Sequence, residues 1–211
     1  MDLSIPIKNH TLEGILTVPE HATGLVIFVH GSGSSRFSTR NLYVAKVLNQ
    51  ANIATLLFDL LTPEEEQIDR YTAEFRFDIA RLKQRLQEVT HWCHKQPALA
   101  KLQLAYFGAS TGAAAALFAA AALPKLIKAV VSRGGRPDLA EPALTQLKAP
   151  TLLMVGELDV AVIALNQTAY QQMTCSKALK IIPGASHLFE EAGCLEQVAI
   201  LASAWFRKYF L

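Results

Sequence analysis

Short runs of apolar residues recur along the chain, and polar, loop-forming residues separate each run from the next. A run of about four to eight such residues, rich in Val, Ile, Leu and Phe, is typical of a strand that is buried on both faces of a parallel sheet. The pattern predicts eight strands, at residues 3–7, 11–18, 24–29, 55–59, 102–107, 129–132, 151–155 and 179–182. We expect the first two strands to be antiparallel.

Several of the segments between these strands carry apolar residues at steps of three and four, which is the spacing of one helix face. The clearest example is a helix predicted over residues 73–95, with Phe75, Ile79, Leu82, Leu86, Val89 and Cys93 on one face. Further helices are predicted at residues 39–50, 113–123, 160–173 and 195–209. Strands and helices that alternate in this way indicate an α/β fold, with a mostly parallel, twisted sheet of about eight strands and helices on both faces.

The same pattern predicts how the chain is organised. No low-complexity linker or repeat divides residues 1–211, so we predict a single domain. No insertion between the strand at 129–132 and Asp159 is long enough for a large lid, so a site at the edge of the sheet should be open.

The composition argues against several classes of function. Of the 211 residues 51% are hydrophobic, and the net charge of +2 favours neither nucleic acid nor a membrane surface as a partner. No apolar run approaches the roughly 20 residues of a membrane span, and the N-terminus has no signal-peptide pattern. The three cysteines have no metal-ligand spacing, so we expect reduced thiols, a cytoplasmic protein, and neither a metal nor another cofactor.

One motif carries most of the functional information. Gly108-Ala-Ser110-Thr-Gly112 lies directly between the predicted strand at 102–107 and an alanine-rich segment. A strand that enters a helix through so tight a turn raises the serine hydroxyl above the sheet edge, and the flanking glycines leave room for neighbouring backbone. We therefore predict that Ser110 is a nucleophile.

An acid and a histidine follow Ser110 in the chain order that this kind of nucleophile requires. Asp159 comes just after the strand at 151–155, and His187 comes just after the strand at 179–182. Because the carboxyl ends of parallel strands meet at one edge of a sheet, the three side chains can converge. We predict His187 as the base, with Nε2 within about 2.6–3.2 Å of Ser110 Oγ, and Asp159 as the group that orients the imidazole.

Backbone N–H groups for a developing oxyanion are predicted at two positions. The strand at 24–29 ends in His30-Gly-Ser-Gly-Ser34, whose glycines leave N–H groups free to face a ligand. In a strand–turn–helix nucleophile site one donor is the N–H after the nucleophile, hence Thr111. The other donor comes from the earlier loop, and we predict Ser32 for that position.

Four segments of the chain resemble one known family. They are Val29-His-Gly-Ser-Gly-Ser-Ser-Arg36, Phe107-Gly-Ala-Ser-Thr-Gly-Ala-Ala-Ala-Ala116, Ser132-Arg-Gly-Gly-Arg-Pro-Asp138 and Gly184-Ala-Ser-His-Leu-Phe-Glu-Glu191. These segments are similar to the α/β-hydrolase superfamily, and within it to the dienelactone-hydrolase-like branch that is often joined to phosphoribosyltransferase domains. The resemblance extends over about residues 15–208.

This resemblance implies the α/β-hydrolase fold and a serine hydrolase whose Ser-Asp-His triad maps onto Ser110, Asp159 and His187. Two departures restrict what it implies. True dienelactone hydrolases use a cysteine nucleophile, whereas position 110 is serine, and the 211 residues contain no phosphoribosyltransferase domain. Neither dienelactone chemistry nor a nucleotide-linked role is therefore implied.

Each candidate residue also has a purely structural interpretation. Ser110 and Asp159 are residue types that cap helices, and a helix is predicted after each of them. Glu157 is a rival acid two residues before Asp159. His30 lies beside the proposed oxyanion loop, where we expect it to order the loop rather than to act as the base.

Four arginines fall in loops that should border the pocket, at Arg36, Arg40, Arg133 and Arg136. A guanidinium suits bidentate recognition of a carboxylate or phosphate, so we predict Arg36 and Arg133 as substrate-binding residues for an anionic acyl substrate. The alternative is that these arginines pair with Asp138, Glu190, Glu191 or solvent.

Together the residues predict a serine hydrolase that cleaves small carboxylic esters, thioesters or lactones through an acyl-enzyme. Acyl transfer and peptide hydrolysis on the same triad are alternatives, because the shape of the pocket selects the acceptor. A non-catalytic binding protein is an alternative from a different class, since a fold alone does not prove activity.

Overall fold

The computed structural model describes residues 1–210, and its central feature is a sheet of eight strands. The strands are β1 (Asp2–Ile7), β2 (His10–Thr17), β3 (Gly24–Val29), β4 (Ala54–Phe58), β5 (Gln103–Ala109), β6 (Ile127–Arg133), β7 (Thr151–Gly156) and β8 (Lys177–Ile182). Their order across the sheet is β1-β2-β4-β3-β5-β6-β7-β8. The pairs β1–β2 and β2–β4 are antiparallel and the other pairs are parallel. Each strand lies where an apolar run predicted one.

Helices cover both faces of this sheet. They are α1 (Thr39–Gln50), α2 (Pro63–Thr72), α3 (Ile79–Lys95), α4 (Thr111–Ala122), α5 (Glu141–Leu144), α6 (Val160–Gln172) and α7 (Cys194–Tyr209). Apolar side chains of α1 and α7 pack in one cluster, and those of α3, α4 and α6 pack in the other. Within residues 1–210, no helix has the length and apolar character needed to cross a membrane.

The central strand β3 shows why the apolar runs are continuous rather than alternating. All six of its residues are buried. Leu25 and Ile27 belong to the cluster on the α3 and α4 side, whereas Val26 and Phe28 belong to the cluster on the α1 and α7 side. Both faces of the strand are therefore in the core, and no position is left for a polar side chain.

The single helix predicted over residues 73–95 is wrong in its first part. Residues 74–77 form a turn instead, which follows the end of α2, where Ala73 adopts a left-handed conformation with φ of 54°. Helix α3 begins later, after Asp78, whose carboxylate accepts a hydrogen bond from the Arg81 N–H at 3.0 Å. Phe75 and Ile79 both pack against the same core cluster, so the apolar spacing continues across the turn and does not reveal it.

The loops that carry the candidate residues follow β3, β5, β6, β7 and β8. These strands are parallel neighbours, so their carboxyl ends lie at one edge of the sheet. Residues 134–150, between β6 and β7, form a short 3-10 turn (Pro137–Ala140) and the four-residue helix α5 rather than a large lid. The edge of the sheet is therefore open to a ligand.

Candidate active site

Ser110 stands on a sharp turn between β5 and α4. Its φ of 50° and ψ of −123° lie in a region that residues with a side chain rarely adopt. Two hydrogen bonds hold the turn against the loop after β6, from the Ser110 N–H to the Arg133 carbonyl and from the Arg136 N–H to the Ser110 carbonyl, both at 3.1 Å. The Ser110 side chain makes no capping hydrogen bond to α4, so a capping role does not account for this serine.

The second glycine of the motif joins this turn to the end of β3. A Cβ on Gly112 would lie 2.3 Å from the carbonyl oxygens of both Val29 and His30, a separation that real Cβ atoms essentially never show. Any other residue at position 112 would force the two backbones apart. The spacing of the motif therefore brings Ser110 next to the loop that begins at His30.

Asp159 and His187 are joined by a short hydrogen bond. Asp159 Oδ2 lies 2.6 Å from His187 Nδ1, and the Asp159 side chain makes no capping bond to α6, which it precedes. The rival acid Glu157 instead accepts a hydrogen bond from the Gly184 N–H at 2.8 Å and so ties the loop after β7 to the loop after β8. A carboxylate on Nδ1 favours the tautomer with the proton on that nitrogen, which leaves Nε2 as an acceptor.

Four of the predicted residues line one cavity of about 210 Å³, namely Ser110, His187, Ser32 and Arg133. Ser110 Oγ and His187 Nε2 line the same cavity but are not joined by a hydrogen bond, and their predicted short distance stays a prediction. Such bonds are often long in a ligand-free site and tighten around the substrate.

The two predicted oxyanion donors contact each other. The Ser32 N–H donates a hydrogen bond to the Thr111 hydroxyl at 2.9 Å, so this N–H is occupied rather than free. The N–H of Thr111 is the first in α4 and has no acceptor within the helix. Sequence reasoning did not anticipate the bond, because it depends on how closely two distant loops approach.

His30 orders the loop after β3, as expected. Its Nδ1 lies 2.9 Å from the Gly31 carbonyl oxygen, and its Nε2 accepts a hydrogen bond from the Leu60 N–H at 3.0 Å. Burial lowers the pKa of this imidazole and outweighs the opposing effects of the Gly31 carbonyl and Asp59. His30 is therefore a neutral cross-link between the loops after β3 and β4.

Three of the four arginines have acid partners. The Arg36 guanidinium pairs with Asp59, and Arg36 lines a separate groove of about 680 Å³ rather than the cavity of Ser110. The other two pairs are Arg136 with Asp138, at 2.9 and 2.7 Å, and Arg40 with Glu190, at 2.7 Å. Arg133 differs, since no acid pairs with it among residues 1–210.

Sequence reasoning missed Asn41, which also lines the cavity. Asn41 is 2% exposed and lies in the first turn of α1, on the same helix face as the buried Val44, Ala45 and Leu48. A polar residue on an apolar face is the signal that could have identified it, because a buried amide needs a partner.

Comparison with known proteins gives the family. The model of the family described as "Dienelactone hydrolase family" matches residues 14–205. A protein of Mycobacterium tuberculosis strain H37Rv, named "Putative phosphoribosyl transferase", is 56% identical over 202 residues, which cover 96% of this chain and 44% of that protein. The chain therefore spans less than half the length of this relative, and the activity of the whole relative does not transfer to it.

Solved structures agree with this result. The crystal structure of a dienelactone hydrolase from Anabaena variabilis has a TM-score of 0.98 and 56% identity, and the match covers 99% of this chain and 97% of that one. Est1E from Butyrivibrio proteoclasticus shares the fold, with a TM-score of 0.83 at 17% identity over 99% of this chain and 98% of that one. The chain belongs to the dienelactone hydrolase family and has the α/β-hydrolase fold.

Proposed function

We propose that the protein is a serine hydrolase of small carboxylic esters, thioesters or lactones. Ser110 is the nucleophile, His187 is the base, and Asp159 orients and stabilises the imidazole. The observation that carries this proposal is the 2.6 Å bond between Asp159 and His187, beside a cavity that both Ser110 and His187 line. Membership of a hydrolase family supports it further.

The reaction proceeds in two halves. Ser110 Oγ attacks the carbonyl carbon as its proton passes to His187 Nε2, and the tetrahedral intermediate then expels the leaving oxygen or sulfur, which takes that proton from His187. Water attacks the acyl-enzyme and gives a proton to His187. The bond to Ser110 Oγ breaks, the carboxylic acid leaves, and the proton returns to Ser110.

Two N–H groups stabilise the oxyanion in this proposal. The Thr111 N–H is one donor, and the loss of such a donor typically raises the barrier by about 3–4 kcal/mol. The Ser32 N–H is the second, once the oxyanion replaces the Thr111 hydroxyl that now accepts its hydrogen bond. This exchange is favourable because a charged acceptor forms a stronger hydrogen bond than a hydroxyl.

The two halves of the substrate occupy different spaces. The cavity of about 210 Å³ takes the part next to Ser110, and the groove of about 680 Å³ takes the larger part, since Ser34 and Ser38 line both spaces. Arg36 contributes to the wall of the groove, but Asp59 already neutralises its charge. We therefore assign it no charge recognition.

Labelling with a fluorophosphonate probe tests the proposal. We expect the wild type to be labelled, and Ser110→Ala to lose both the label and at least about a thousandfold of ester hydrolysis. Ser176→Ala is the control, because this exposed serine precedes β8 at the opposite edge of the sheet and should be labelled like the wild type. Absence of labelling in folded wild-type protein would favour the non-catalytic alternative.

A further inference from the structure

Arg133 carries a positive charge that no acid balances. It is 7% exposed at the end of β6, and its Nε and Nη1 are buried without a hydrogen-bond partner among residues 1–210. Burial first, and the charge of Arg40 second, lower the pKa of Arg133 to about 10, so the side chain remains a cation at neutral pH. Its guanidinium carbon lies 5.9 Å from the centre of the Phe107 ring, and this weak contact does not replace a counter-ion.

Of the four arginines predicted to border the pocket, only Arg133 lacks an acid partner among residues 1–210. Arg136 lies three residues beyond Arg133, in the loop after β6, and both oxygens of Asp138 accept hydrogen bonds from its guanidinium. Acids are therefore within reach of this edge of the sheet, yet none faces the cavity beside Arg133. A buried charge without a partner destabilises a fold, so a ligand that supplies the partner is the direct physical explanation.

The start of α1, which lines the same cavity as Arg133, also favours an anion. Ser38 caps the N-terminus of α1 and, with Arg40 and Asn41 of its first turn, lines the same cavity. The N-terminal end of a helix carries a partial positive charge and N–H groups that are not bonded within the helix. Glu190, which pairs with Arg40, has a side chain that is 63% exposed and does not line the cavity.

We propose that Arg133, together with the N-terminus of α1, forms an anion subsite beside Ser110. The substrate then carries an oxyanionic group, a carboxylate or a phosphate, on the part that enters this cavity. Both Ser110 and Arg133 line a space of only about 210 Å³, so this group lies a few bonds from the scissile carbonyl. The proposal rests on the hydrolase function proposed above and names its substrate class.

Binding experiments test the subsite without catalysis. Succinate, inorganic phosphate and the neutral succinamide are titrated calorimetrically into the Ser110→Ala protein. We expect one of the two anions to bind and succinamide not to bind. Arg133→Met should weaken that binding at least tenfold. Arg136→Met is the matched control, because it removes a nearby arginine that is already paired with Asp138, and it should leave the binding unchanged.

Thermal unfolding separates a binding role from a structural one. Because Arg133→Met removes an unpaired buried charge, its Tm should equal or exceed that of the wild type. A lower Tm together with unchanged anion binding would assign Arg133 to the fold and overturn the proposal. Arg133→Lys keeps the cation but loses the planar fork, and it serves as the test variant if Arg133→Met does not fold, with an expected loss of at least threefold in anion binding.

Hydrolysis of matched anionic and neutral esters tests whether the subsite contributes to catalysis. The p-nitrophenyl monoester of glutarate is compared with its neutral methyl ester. A p-nitrophenyl ester of equal length that carries a phosphonate in place of the free carboxylate tests recognition of a phosphate. We expect Arg133→Met to lower kcat/KM at least tenfold for the favoured anionic ester and less than twofold for the neutral one. Two outcomes would overturn the subsite and leave the hydrolase proposal standing: equal losses on both esters, or no anion binding by Ser110→Ala although a fluorophosphonate labels Ser110 of the wild type.

Discussion

His187 Nδ1 lies 2.6 Å from Asp159 Oδ2, although 28 residues separate them along the chain. Each residue follows a different strand of the sheet, Asp159 after β7 and His187 after β8, and these strands are parallel neighbours. The bond therefore results from the register of two strands and not from local sequence. It determines which nitrogen of His187 faces the cavity.

Asp159→Asn should lower kcat by about 10⁴, because an amide holds the imidazole in the wrong tautomer and does not stabilise the imidazolium. The measurement is steady-state hydrolysis of a p-nitrophenyl ester. Glu157→Gln is the matched control on the same loop, since an amide oxygen can still accept the Gly184 N–H and does not touch His187. Its kcat should stay within twofold of the wild type, and equal losses in the two variants would contradict the assignment of Asp159.

Gly156→Ala should displace the loop that carries His187. A Cβ at this position would lie 2.4 Å from the Ala185 carbonyl oxygen and 2.5 Å from that of Ser186, so backbone has to move. A misplacement of about 1 Å can cost a hundredfold in rate, and we expect kcat to fall by about that factor.

Gly24→Ala is the control for this clash, because its Cβ would meet the Phe210 ring at 2.3 Å at the opposite end of the sheet. Thermal unfolding and kcat are measured for both variants. Both should have a lower Tm, but kcat of the folded Gly24→Ala protein should stay near the wild-type value. A Gly156→Ala protein with unchanged kcat would show that the loop position is not critical.

The buried His30 should make stability depend on pH. Its pKa is lowered from about 6.5 in the unfolded chain, so below that pH the unfolded state binds a proton that the folded state does not. The free energy of unfolding should therefore fall as the pH drops below about 6.5, by up to about 1.4 kcal/mol per pH unit. The fall should end where the pH reaches the pKa of His30 in the folded protein.

Urea unfolding between about pH 7.5 and 5 measures this dependence. In His30→Gln the fall should be smaller than in the wild type, because the titrating group is absent. His21→Gln removes an exposed histidine and should leave the pH dependence as it is in the wild type. Parallel curves for the wild type and His30→Gln would contradict a neutral, buried His30.

The elements of the fold could be predicted wherever their signal is local. Apolar runs located all eight strands, and helix α1 has the predicted bounds of residues 39–50. The start of α3 could not be predicted, because Phe75, which lies within the turn, packs against the same core cluster as Ile79 at the start of the helix. Periodicity reports which face is buried, and it does not report whether the backbone between two buried residues remains helical.

The candidate site shows the same division. The residue types and their order along the chain predicted Ser110, Asp159 and His187 as a triad, and in the tertiary structure Asp159 lies within hydrogen-bond distance of His187. Ser32 was predicted with a free N–H, but the structure gives that N–H to the Thr111 hydroxyl. Whether a side chain of another loop accepts the hydrogen bond of a backbone N–H depends on the distance between the two loops, and a sequence motif does not contain that distance.

The sequence by itself determined the α/β class, the strand–turn–helix setting of Ser110, and the family to which the chain is similar. These properties depend on short-range periodicity and on glycines at particular turns. Only the tertiary structure decided which acid meets His187 and which arginine has no counter-ion. Charges pair through space, so the sequence could not distinguish Arg36 from Arg133. In the structure Asp59 neutralises Arg36, whereas Arg133 is buried beside Ser110 without a partner acid.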